Sequence, residues 1–168
     1  MDKKNPFRRG RDDAEAGKSW KTSCPFHKGS KEWVRYMSGY QNGVDLRRRA
    51  AAQAAKAQQA AQEAVQIAAG QGWTDTRAGF AWFALGRLSM KDDPQTALRA
   101  FLNAGAIYRA TPGAGIQAAH VDMQLAAFAL SAGRAQDAIA LVNRSLSAAL
   151  EEENAALMAT LYLIRAEA

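Results

Sequence analysis

Apolar and aromatic positions fall at helical spacing along most of the chain. Trp33, Tyr36, Met37 and Tyr40 recur at i, i+3, i+4 and i+7, one stripe of a helix running from about Lys31 toward Val44. Ser30 suits its N-cap, which puts Trp33 at N3. Upstream, residues 10–20 read as a short helix. Asp12, Asp13 and Glu15 would sit in its first turn, where acids complement the helix dipole. Gly17 either interrupts that helix or permits close packing. Pro6 opposes an earlier start, so residues 1–9 read as a mobile basic arm. Residues 21–30 read as a loop. Thr22 to Pro25 and Gly29-Ser30 are turn chemistry, and Pro25 biases Cys24 toward an extended backbone.

Residues 45–69 predict a long helix rich in Ala and Gln. Arg47, Arg48 and Arg49 open it, and after Leu46 only Val65 and Ile67 are branched aliphatics. Its intrinsic propensity is good, but it has little to bury. Gly70 and Gly72 end it. The expected class is all-α.

Residues 73–168 repeat a helix–turn–helix pattern. Trp82-x2-Leu85-Gly86 precedes Ala97-x3-Phe101-x2-Ala104, with Asp92-Asp93-Pro94 between them. Leu125-Ala126, Gly133 and Ala138-x3-Val142 form a second unit. This spacing resembles tetratricopeptide repeats, where a small residue on one helix meets large ones on the next. The step from Ala97 to Ala138 is 41 residues, longer than the usual length of about 34. Thr111 to Gly115 would hold the excess. Position 89 is Ser where the pattern prefers Tyr, and position 122 is Asp where it prefers Trp. Residues 154–168 resemble the first helix of a third unit and would cap the stack. The expected organisation is a basic two-helix module over 1–46, an Ala-rich linker helix over 47–72, and a tetratricopeptide-like antiparallel array over 73–168.

Charge divides the chain in the same way. Residues 1–49 carry 13 Lys/Arg against 6 Asp/Glu, whereas residues 50–168 carry 9 against 10, so the whole +6 sits on the first part. A dense basic surface attracts polyanions, because each neutralised phosphate releases a counterion. Trp20, Phe26, Trp33, Tyr36 and Tyr40 lie among these cations and offer flat faces on which bases could stack. Cys24 is the one cysteine. It excludes an internal disulfide and a multi-cysteine zinc site, and it suits a reducing compartment. No apolar segment follows Met1 to Pro6, so no secretory signal is expected. No apolar run approaches the ~18 residues of a membrane span. The expected location is the cytoplasm.

The N-terminal landmarks run Arg9-Gly10, Ala14, Ala16-Gly17-Lys18, Cys24-Pro25-Phe26, Gly29-Ser30, Trp33, Gly39-Tyr40 and Gly43. Over about residues 7–46 this order resembles the ribosome modulation factor family. These small bacterial proteins have two short helices joined by a Cys-Pro-aromatic or Asn-Pro-aromatic loop. The resemblance implies binding to the small ribosomal subunit and a role in ribosome hibernation. It implies that Cys24, Pro25 and Phe26 shape the loop, and that Trp33, Gly39 and Tyr40 hold the helices together. It also implies that Arg9, Arg11, Lys18, Lys21, Lys28 and Arg35 face rRNA. The chain departs from the family in its long C-terminal extension, which could block or redirect ribosome dimerisation.

From the residues themselves, Arg8, Lys31, Arg47, Arg48 and Arg49 extend the candidate phosphate-contacting set. Trp20, between Lys18 and Lys21, is the better stacking candidate. Trp33, Tyr36 and Tyr40 read as core, since little else in the module can be buried. Cys24 as a nucleophile would need a base, and only His27 and His120 exist; no third orienting group supports either. Asp92-Asp93 and Glu151 to Glu153 lie at helix boundaries and read as turn and capping residues. No catalytic, metal or cofactor site and no small-molecule substrate is expected. The chain reads as a non-enzymatic ribosome- or rRNA-binding protein that modulates translation or ribosome storage, with the array making a second contact. The alternatives are a protein–protein adaptor with a nonspecific basic tail, and a DNA-binding regulator.

Overall fold

The computed structural model describes residues 5–168. It is all-helical and divides into two compact units, one ending at Lys56 and the other beginning at Ala57.

In the first unit, helix α1 spans Pro6–Glu15. The arm expected over residues 1–9 is therefore helical from Pro6 onward, and residues 1–4 lie outside the described residues. Proline at the first helical position is no obstacle, because that N–H has no intrahelical acceptor anyway. Asn5 Oδ1 caps the turn, accepting from the Phe7 N–H at 3.0 Å. Asp12, Asp13 and Glu15 consequently occupy the last turn rather than the first, the unfavourable end for acids. Helix α2 is a single turn, Trp20–Ser23, which begins at the end of the helix expected over 10–20 and runs into the segment expected to be loop. Helix α3 runs unbroken over Lys31–Gly70, so the two helices expected either side of Val44 are one. Nothing between Val44 and Arg47 breaks a helix, and Gly43 serves packing rather than termination.

Backbone proximity joins α1 to α3. Gly10 lies against the Tyr36 carbonyl, and Gly39 lies against the Phe7 carbonyl. A Cβ on Gly43 would meet the Arg11 carbonyl oxygen at 2.6 Å and Ala14 Cβ at 2.8 Å. Contacts advance together along both helices, so α1 and α3 run parallel here. Gly10-x3-Ala14 and Gly39-x3-Gly43 put small residues one turn apart on the facing sides, which lets the backbones approach.

The second unit holds the end of α3 and five further helices: α4 Thr76–Ser89, α5 Pro94–Ala110, α6 Gly115–Ser131, α7 Ala135–Glu151 and α8 Ala155–Glu167. Asp75, Asp93 and Asn154 cap α4, α5 and α8, accepting from the N–H groups of Arg77, Thr96 and Leu157 at 2.9–3.0 Å. Along α4, Gly79 faces Tyr108 and Gly86 faces Phe101 on α5. One helix advances as the other recedes, so the pair is antiparallel. Each consecutive pair from α4 to α8 is in contact, and α6 also touches α8. The core is largely alanine, with Phe101, Val121, Val142 and Leu161 as its large fully buried apolar members. Ala61 and Val65 of α3 pack with Trp82, Leu85 and Ala100.

Both departures from the repeat pattern carry buried polar bonds. Ser89 is fully buried, and its Oγ accepts from Gln58 Nε2 of α3 at 3.3 Å. Asp122, 2% exposed, joins three helices. Arg144 of α7 forks onto it with two bonds of 2.7 Å, and Arg109 of α5 donates at 3.1 Å. At the end of α7, Glu153 adopts a left-handed backbone with φ 50°, which places it in a turn rather than among paired acids.

Candidate nucleic-acid interface

The basic surface is built on the α1–α3 pair. Helix α1 ends in a Schellman turn: Lys18 N–H donates to the Asp13 carbonyl and Gly17 N–H to the Ala14 carbonyl. Gly17, at φ 75°, supplies the left-handed residue this turn requires. Arg47 Nη1 adds a 2.9 Å bond to the Ala14 carbonyl. A cation from α3 thus sits at the negative end of α1, which has no basic residue in its own last turn.

Asp13 is the buried acid of this unit. Its Oδ2 accepts from the Tyr36 hydroxyl at 3.0 Å, and its Oδ1 accepts from Lys18 Nζ at 3.3 Å. Burial, and then the bond to Asp13, push the Tyr36 phenol well above its ordinary range. The Tyr40 hydroxyl donates to the Lys18 carbonyl at 2.8 Å, which holds the segment after α1 against α3. The Phe26 ring meets Tyr36 at 6.1 Å, tilted, and Tyr36 stacks on Tyr40 at 6.3 Å. Ser30 Oγ accepts from the Trp33 N–H at 3.0 Å and caps α3. Cys24 Sγ points to the Phe26 carbonyl at 4.0 Å, and His27 is exposed without a bond to it.

The cations singled out from the sequence separate into two groups. Arg11 is ion-paired with Asp12 and Glu15, both at 3.4 Å. Lys18 is held by Asp13, and Arg47 by the Ala14 carbonyl. These three serve the fold. Arg8, Arg9, Lys21, Lys28, Lys31, Arg35, Arg48 and Arg49 are exposed and make no ion pair among the described residues. Lys31, Arg35 and Arg49 fall on one stripe of α3, since four and eighteen residues are close to whole numbers of turns. Arg8 and Arg9 lie on α1, Lys21 on α2 and Lys28 in the following loop.

The aromatic groups separate too. Tyr36 is fully buried and presents no face to a base. Trp20 and Trp33 are half-buried, and Trp20 lies on α2 beside Lys21. Asp13 and Gly10 were not legible as organising residues. The only hint was the spacing of Gly10 to Ala14 and Gly39 to Gly43. Among the described residues, no group of three or more His, Cys, Asp and Glu could hold a metal ion. No described helix is long and apolar enough to cross a membrane. No family model matches the chain, and neither the curated proteins nor the solved structures searched contain a match.

Proposed function

We propose that this chain is a non-enzymatic ribosome- or rRNA-binding protein of the cytoplasm that modulates translation or ribosome storage. The observation that carries this reading is the set of exposed cations on the α1–α3 unit that form no ion pair among the described residues. Phosphates positioned against Arg8, Arg9, Arg35 and Arg48 would release counterions, and the fixed backbone of the two helices would set orientation. Trp20 offers the partly exposed ring for stacking. The resemblance to ribosome modulation factor selects ribosomal RNA over other polyanions.

The test is co-sedimentation of the full chain with isolated ribosomal subunits, bulk RNA and duplex DNA across a salt series. Preference for one subunit is expected, with affinity falling steeply as salt rises. Replacing Arg8, Arg9, Arg35 and Arg48 together by Ala should flatten the salt slope by about three to four. Equal binding to every nucleic acid, or none, overturns the reading. The adaptor role of the array is the second reading. It is favoured by Phe80 and Leu163, which are 66% and 65% exposed.

A further inference from the structure

Helix α1 stops at Glu15 while α3 continues, and the step between them is an open groove. Glu15, Leu46, Arg47, Arg49, Ala50 and Gln53 line it. Leu46, Ala50 and Gln53 recur at i, i+4 and i+7, so they share one face of α3 and form the floor. Leu46 is 42% exposed there, an apolar surface left open among the described residues. Arg47 is fixed beside the floor by its bond to the Ala14 carbonyl. Arg49 is exposed and unpaired among the described residues. Glu15 forms the rim, 3.4 Å from Arg11 Nε.

A groove for phosphate alone would not place a carboxylate beside its arginines, because like charges repel. The mixture fits a ligand with three parts: an anion for the guanidinium groups, a flat apolar body for Leu46 and Ala50, and hydrogen-bond donors for the carboxylate. A nucleotide has all three. Among the RNA bases, guanine presents two adjacent donors, N1–H and N2–H, on its Watson–Crick edge. They match the two oxygens of one carboxylate. That edge is free only when the base is unpaired.

We propose that this groove binds one unpaired guanosine nucleotide of an RNA strand. Arg49, with Arg47 behind it, neutralises the phosphate. The base lies over Leu46 and Ala50. Glu15 accepts from N1–H and N2–H, and the Gln53 amide donates to O6. This rests on the RNA-binding reading above and specifies what the basic unit recognises.

The test is fluorescence anisotropy of the full chain with short labelled RNA strands, all uridine except for a central G, A or C. The G strand should bind about tenfold more tightly than the others, the scale of one bidentate base contact. Glu15→Ala should reduce that ratio to about twofold or less, with the helical content unchanged by circular dichroism. Arg49→Ala should weaken all strands alike. Equal affinity for G, A and C, or a preference that survives Glu15→Ala, overturns the inference and leaves RNA binding standing. Free GMP competing as well as the G strand also overturns it, since the site would then be one for a free nucleotide. Failure to bind any strand at low salt overturns both.

Discussion

Gly86 of α4 lies directly beneath the Phe101 ring of α5, so close that a Cβ there would meet ring carbons at 2.7 and 2.8 Å. Phe101 is fully buried between Phe83 and Phe128, with ring centroids 5.7 and 6.1 Å away. It has no room to withdraw. Gly86→Ala therefore gains the helix propensity of alanine, about 1 kcal/mol, but forces the pair apart at a cost of about 1–3 kcal/mol. The net effect should be destabilising. Gly115→Ala is the contrast, because its Cβ would meet Ala148 at an ordinary 3.8 Å. It should be neutral or stabilising. Urea unfolding followed by circular dichroism distinguishes the two, and a stabilised Gly86→Ala would refute the packing described.

Asp122 anchors three helices through charged bonds. Removing it as Asp122→Ala should cost about 1.5–3 kcal/mol, the scale of hydrogen bonds to a charged group. The cost stays below that of a fully buried broken pair, because the Arg109 and Arg144 side chains are 39% and 52% exposed and can return to water. A double-mutant cycle should couple Asp122 more strongly to Arg144, which makes two bonds of 2.7 Å, than to Arg109, which makes one of 3.1 Å. Equal couplings would show that the fork contributes nothing beyond proximity.

Alkaline pH should loosen the α1–α3 unit. The Tyr36 phenol is held neutral by burial and by the neighbouring Asp13 carboxylate. In the unfolded chain it loses its proton near its ordinary pKa of about 10. The native state then binds more protons than the unfolded state, so stability is intact below about pH 10 and falls as pH rises beyond it. Tyr36→Phe should shallow that decline; Tyr108 of the second unit, also raised by burial, acts on that unit instead. At neutral pH the same change should cost about 1 kcal/mol through the lost bond to Asp13. Urea midpoints at pH 8 and at pH 11 measure both effects.

The helical class, the Ser30 cap and the turn at Asp93-Pro94 were legible because each rests on residues adjacent in sequence. Pro6 misled because proline both blocks a helix interior and opens a first turn. Only Asn5 immediately before it distinguishes the two. The boundary expected near Val44 is absent, and Gly43 beside it packs against the Arg11 carbonyl and Ala14, partners that no local pattern reveals. Asp122 stood out as a departure from the repeat pattern, but its partners lie 13 and 22 residues away. The aromatic stripe showed that Tyr36 faces inward, yet not that a buried carboxylate waits there. Arg47 resembled its neighbours in sequence, and only the end of α1 beside it distinguishes its role from that of Arg48.

The α1–α3 contact is made of backbone against backbone at Gly10, Gly39 and Gly43, and this divides the unit's mutational tolerance unequally. In a saturation library scored for folded protein, those three positions should accept almost nothing. Arg8, Arg9, Arg35 and Arg48 should accept nearly anything. Apart from Arg11, Lys18 and Arg47, which hold the fold, the outer cations add little to stability, and the surface they form is free to drift. Its charge, and with it the choice of partner, can diverge between lineages while the pair of helices stays the same.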